Sequence, residues 1–189
     1  MLITIVCFAL LLSTAPAFSS SIDQIPLLND RNPPVSDSTH LQIKYLGAGG
    51  LYLRRGEDVL LTAPFFSNPS LKRLLFWRIK SQPREIDRFL APMHADLAAT
   101  HAILVGHAHY DHLMDLPYIL AAHTPKARVY GSRTAYHTLA ATVDTSRLVA
   151  LNKHMGTATE PGQWIEVADG RIRFMALESE HAPHFLGLK

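Results

Sequence analysis

The feature that most constrains this chain is a short apolar strand, Ala102-Ile103-Leu104-Val105, that runs without a break into Gly106-His107-Ala108-His109-Tyr110-Asp111-His112. A continuous apolar run of that length, bounded by glycine, reads as a short, fully apolar strand that feeds directly into the segment after it. The residues that follow concentrate metal donors: His107, His109, Asp111 and His112. Imidazole nitrogen and carboxylate oxygen are ligands that a borderline cation such as zinc accepts. In extended backbone, residues two apart point the same way, so His107 and His109 are placed to converge on one ion. Asp111 and His112 follow where the chain turns away, in position to face a second ion beside the first. The plain alternative is a histidine-rich surface loop.

The pattern on either side reads as strands, then as strands alternating with helices. From about His40, Leu41-Gln42-Ile43-Lys44-Tyr45 alternates like a half-buried strand, and Gly47, Gly49 and Gly50 permit a tight turn or a close backbone approach. Leu51-Tyr52-Leu53 and Val59-Leu60-Leu61 flank Arg54 to Asp58 as a hairpin. The stretch from Leu71 to Lys80 is basic and amphipathic; its Leu74-Leu75-Phe76-Trp77 cluster is read as a core helix, with a lid or a membrane-facing patch as the alternative. A helix is expected from Arg84 to Ala99 through Pro92. Asp115 suits the N-cap of a helix from Leu116 to Ala122, with Pro117 tolerated in its first turn. Arg128-Val129-Tyr130 is a strand, Ser132 caps a helix through Thr142, and Leu148 to Leu151 is another strand. Trp164 to Val167 and Ile172 to Leu177 form a hairpin about Asp169-Gly170. This order predicts an α/β fold, with sheets layered against helices.

Residues 1–17 are set apart from the fold. Ile3 to Leu12 is an apolar run too short to span a bilayer comfortably, and Ala15-Pro16-Ala17 supplies small residues where a signal peptidase cuts. A secretory signal over 1–17, a polar linker over 18–39 and a folded domain over 40–189 is the resulting organisation. The expected location is secreted or periplasmic, with no stable membrane span after cleavage. Cys7 is the only cysteine and leaves with the signal, so the mature chain offers neither a disulfide nor a thiolate ligand. A net charge of +2 names no partner, and no basic stripe interleaved with aromatics points to nucleic acid.

With the strand pairs in front of it, His107-Ala108-His109-Tyr110-Asp111-His112 at a strand end resembles the metallo-β-lactamase superfamily, most closely its lactonase and phospholipase-D-like branch. Leu46-Gly47-Ala48-Gly49-Gly50 resembles that branch's glycine turn, and Leu61-Thr62-Ala63-Pro64-Phe65-Phe66-Ser67 its segment after the second hairpin. The resemblance implies an αββα sandwich, of which this chain carries the amino-terminal part. It implies that His107 and His109 ligate a first ion, and Asp111 and His112 a second. The third histidine of the first site is implied to be His181, in Glu178-Ser179-Glu180-His181-Ala182-Pro183-His184, with His184 in reserve. The remaining histidines (His40, His94, His101, His123, His137 and His154) have no partner at ligand spacing.

The implied cofactor is zinc, one or two ions, with manganese or iron as substitutes. The implied activity is hydrolysis of an ester, lactone, amide or phosphodiester in a small or lipid-like substrate, with Asp111 orienting the nucleophile or taking its proton. Two departures stand against the family pattern. Ala63 occupies a position where the family carries an aspartate, and no acid follows His181 to bridge two ions. The expectation that accompanies them is an incomplete domain, with a non-catalytic, single-ion remnant as the alternative function.

Overall fold

The computed structural model describes residues 40–179. The expected signal, the linker, His181 and His184 lie outside the described residues.

Strands β1 (Gln42–Gly47), β2 (Gly50–Arg55) and β3 (Asp58–Thr62) form an antiparallel meander. Then β4 (Thr100–Leu104), β5 (Arg128–Gly131) and β6 (Leu148–Ala150) add in parallel, so the sheet order is β1-β2-β3-β4-β5-β6. The change from antiparallel to parallel falls between β3 and β4, where the connection is long enough to carry helices across one face.

Alternation along these strands sorts side chains between two apolar layers. Tyr52, Val59, Leu61, Ile103, Val129 and Leu148 enter the larger core under the helices. Leu53, Leu60, Ala102, Leu104, Tyr130 and Val149 enter a second core on the opposite face. That opposite face is covered by a separate hairpin, β7 (Trp164–Val167) and β8 (Ile172–Met175), whose Phe174 ring meets the Tyr130 ring edge-on at 5.1 Å. The cover is partial. Leu41, just before β1, and Ile43 and Tyr45 on it are exposed.

The helices follow from spacing and caps. After the short α1 (Leu71–Phe76), α2 (Pro83–Leu90) starts on a proline, has Glu85 in its first turn, and buries Ile86 and Leu90 four residues apart. Pro92 ends it: a 3-10 turn over Ala91–Met93 separates it from α3 (His94–Leu97), so the single helix expected over 84–99 is broken. α5 (Leu116–Ala122) buries Leu116, Ile119 and Leu120. α6 (Arg133–Leu139) is capped as expected, Ala135 N donating to Ser132 Oγ at 3.2 Å, but stops short of Thr142. Each fully buried Leu or Ile in this layer contributes roughly 1.5–3 kcal/mol relative to exposure.

α1 (Leu71–Phe76) corrects the sequence reading. Leu74, Leu75, Phe76 and the following Trp77 are exposed, at 39, 64, 74 and 65 %. No core helix forms there; the connection reaches the buried interior earlier, through Phe65 and Phe66.

Among the described residues no helix is long and apolar enough to cross a membrane. At the turn of the β7–β8 hairpin, Asp58 accepts from Arg171 Nε at 2.9 Å and lies 3.1 Å from His101 Nε2, clamping hairpin to sheet. The Arg171 hydrogen bonds hold the Asp58 carboxyl below the usual range, against its partial burial.

Candidate metal centre

β4 is anchored on both sides before the histidines begin. Ala63 N donates to Leu104 O and Val105 N donates to Tyr130 O, each at 2.8 Å. Gly106 then has open space around it, and the chain bends through Gly106 and His107. The extended geometry expected for His107–His109 is therefore interrupted by a bend. The two rings still meet: His107 Nε2 lies 3.1 Å from His109 Nδ1, with ring centroids 4.5 Å apart.

Asp111 and His112 sit on a short helical turn, α4 (Tyr110–Leu113), which starts directly after His109. One turn of helix brings them back toward His107, whose ring centroid is 4.2 Å from that of His112. The donor atoms of His107, Asp111 and His112 all lie within 4.8 Å of one another, and all three residues are half-buried. His112 Nε2 is 3.7 Å from Asp111 Oδ2. Mixed nitrogen and oxygen donors at this spacing fit a divalent cation of the zinc type. Thus the structure gathers His107, Asp111 and His112 in one cluster with His109 against its edge, while His181 lies outside the described residues.

Two backbone features border the cluster. Gly47, Ala48 and Gly49 take positive φ angles of 86°, 44° and 82°, and a Cβ on Gly49 would come within 4.0 Å of His112 Cε1. A Cβ on Gly50 would lie 2.9 Å from Gly47 O, so that turn closes only with glycine there. Thr62 fastens the same turn, Leu51 N donating to its Oγ1 at 2.8 Å and Oγ1 donating to Gly49 O at 3.1 Å.

The second feature is Asp115, and it corrects another expectation. Its side chain makes no capping bond to α5. Instead the buried carboxylate accepts from Phe66 N at 2.8 Å, Ser67 N at 2.9 Å and Ser67 Oγ at 2.5 Å. Ser67 in turn holds Gln82, whose backbone N donates to Ser67 Oγ at 2.7 Å. The exit of the histidine helix is thereby tied to the segment that follows β3. Tyr110 packs edge-on against Phe65 of that segment at 6.0 Å. An aspartate three residues after His112 is legible in sequence, but its long-range partners are not.

Ala63 is buried in the helix-side core, with no carboxylate at its position. Three of the histidines set aside have polar partners elsewhere: His101 with Asp58, His123 with Asp87 at 2.8 Å, and His154 with Gln163 at 2.5 Å. Among the described residues none of them joins a three-donor group.

The sequence profile of the beta-lactamase superfamily domain matches residues 63–187, more than half of the chain, including the histidine segment. The chain belongs to that superfamily. Its mixed sheet with helices on one face agrees with a beta-lactamase-superfamily domain, and hydrolase chemistry in general goes with membership. No curated protein matches the chain.

Proposed function

We propose that this protein is an exported metal-dependent hydrolase acting on an ester, lactone, amide or phosphodiester bond. The observation that carries the reading is the convergence of His107, Asp111 and His112 within 4.8 Å at the end of a core strand of a superfamily domain. His107, His109 and His181 are the proposed holders of one zinc-like ion, and Asp111 and His112 of a second. Bound there, such a cation supplies a water acidified toward neutrality and polarises the oxygen of the scissile group. Asp111, with its side chain 34 % exposed, can reach both the cluster and solvent. In this reading its carboxylate orients the attacking water and takes its proton as the new bond to carbon or phosphorus forms. The proton then passes to the leaving oxygen or nitrogen as the old bond breaks, which balances the hydrolysis.

The tightness of the single cluster favours a second reading, in which one ion is held without turnover. Metal analysis of the purified full chain separates the two and tests both. His107→Ala is expected to lose stoichiometric zinc, whereas His137→Ala, on the exposed face of α6, keeps it. Equal zinc in both variants would sink the site. Two ions per chain, with turnover of a generic ester, a lactone or bis(p-nitrophenyl) phosphate that disappears in His109→Ala, supports the hydrolase; one ion with no turnover supports the binder.

Export rests on the apolar run Ile3 to Leu12 and on Ala15-Pro16-Ala17. Amino-terminal sequencing of secreted protein is expected to begin at Phe18. A mature protein beginning at Met1 would overturn export by cleavage.

A further inference from the structure

The stretch around α1 is apolar, aromatic and cationic at once, and nothing in the metal centre uses it. Leu74, Leu75, Phe76 and Trp77 are all exposed, and the Phe76 and Trp77 rings contact each other edge-on at 6.0 Å. Lys72, Arg73, Arg78 and Lys80 are exposed around them and form no ion pair among the described residues. No acidic residue occurs between Asp58 and Glu85, a span that also contains Arg84. A groove beside the patch is lined by Arg73, Trp77, Arg78, Lys80 and Gln82, a cationic cradle of the kind a phosphate headgroup fits. Trp and Phe on a short helix, flanked by Lys and Arg, match the interfacial zone of a bilayer.

We propose that α1 and the residues to Lys80 form a docking surface for an anionic lipid bilayer, with the Leu74–Trp77 side chains in the headgroup–acyl boundary and the four flanking cations on lipid phosphates. Apolar insertion or charge alone gives only weak, reversible attachment; the combination gives a stable one. The sheet fixes the orientation. β3 and β4 are parallel neighbours, so the segment leading to α1 and the histidine segment leave the same end of the sheet. Docking through α1 turns that end toward the lipid. The proposal concerns binding and stands apart from the metal reading.

The test uses the full chain carrying Trp164→Phe, which leaves Trp77 as the sole tryptophan. Vesicles of phosphatidylcholine with about one-third phosphatidylglycerol are compared with phosphatidylcholine alone, at roughly 0.1 M salt. The expected result is a blue shift of Trp77 emission and its quenching by brominated acyl chains on the anionic vesicles. Arg73→Glu with Arg78→Glu should weaken partition by at least about 25-fold, since each cation near such a surface is worth roughly fivefold. Three results would overturn the proposal: vesicle binding with Trp77 emission unchanged, which places the contact elsewhere; a blue shift that grows with protein concentration and ignores lipid, which makes the patch an interface between copies; or equal binding of the charge-reversed and parent chains.

Discussion

Two stretches leave the same end of the sheet, one after β3 and one after β4, and they reach opposite environments. The stretch from His107 to Asp115 is polar and rich in titratable groups, yet it is held: Leu113 is buried in the core, and the Asp115 carboxylate receives bonds from Phe66 and Ser67. The stretch from Leu74 to Trp77 is entirely apolar, yet it lies in the open. Apolar content therefore does not decide which segment is fixed here. A buried carboxylate with two backbone donors fixes one, and among the described residues the other has no such anchor beyond Ser67.

Asp115→Ala is the sharpest way to break that contrast. It strands buried N–H groups and the Ser67 hydroxyl, and is expected to cost about 3 kcal/mol in urea unfolding. Asp115→Asn keeps an acceptor and should cost about half as much. A loss below about 1 kcal/mol for the alanine variant would mean that packing, not the carboxylate, holds the histidine segment.

An intermediate effect is expected where a fastener sits nearer solvent. Asp58 is held below its ordinary value of 3.8 chiefly by its hydrogen bonds with Arg171. A carboxyl depressed in the folded state contributes stability that is complete above the unfolded value and is lost as pH falls through the folded one. Stability measured between about pH 6 and pH 2 should therefore fall less steeply in Asp58→Asn than in the parent chain. Parallel acid limbs would show that the clamp on the second hairpin carries no stability.

The smallest effect belongs to the open stretch. Leu75→Ser and Phe76→Ser should each shift unfolding by no more than about 0.5 kcal/mol, because their side chains are already exposed. A larger loss would mean that the patch is covered in solution.

The same contrast explains what could be read in advance. Strands β2 to β6 and helix α5 follow from period and punctuation, and the grouping of His107, Asp111 and His112 follows from adjacency along the chain. Local signals were enough there, since those residues meet within one bend and one helical turn. Asp115 was legible as a helix start, but its partners lie 48 and 49 residues away in sequence. The sequence pattern misleads at α1 for the converse reason. An amphipathic pattern states that a face prefers to leave water, and names neither protein nor lipid as its destination.

The order β1-β2-β3-β4-β5-β6 has a consequence for how the protein is made. Every strand of the main sheet pairs with the one synthesised just before it, so no strand waits for a distant partner and each loop closure is short or bridged by helices. Assembly can proceed in step with the emerging chain. The histidine segment then arrives on a sheet edge that is already laid, and only β5 is needed to lock it. A pause late enough for Gly131 to have left the ribosome would find that lock in place, whereas an earlier one would leave the histidines on an open edge.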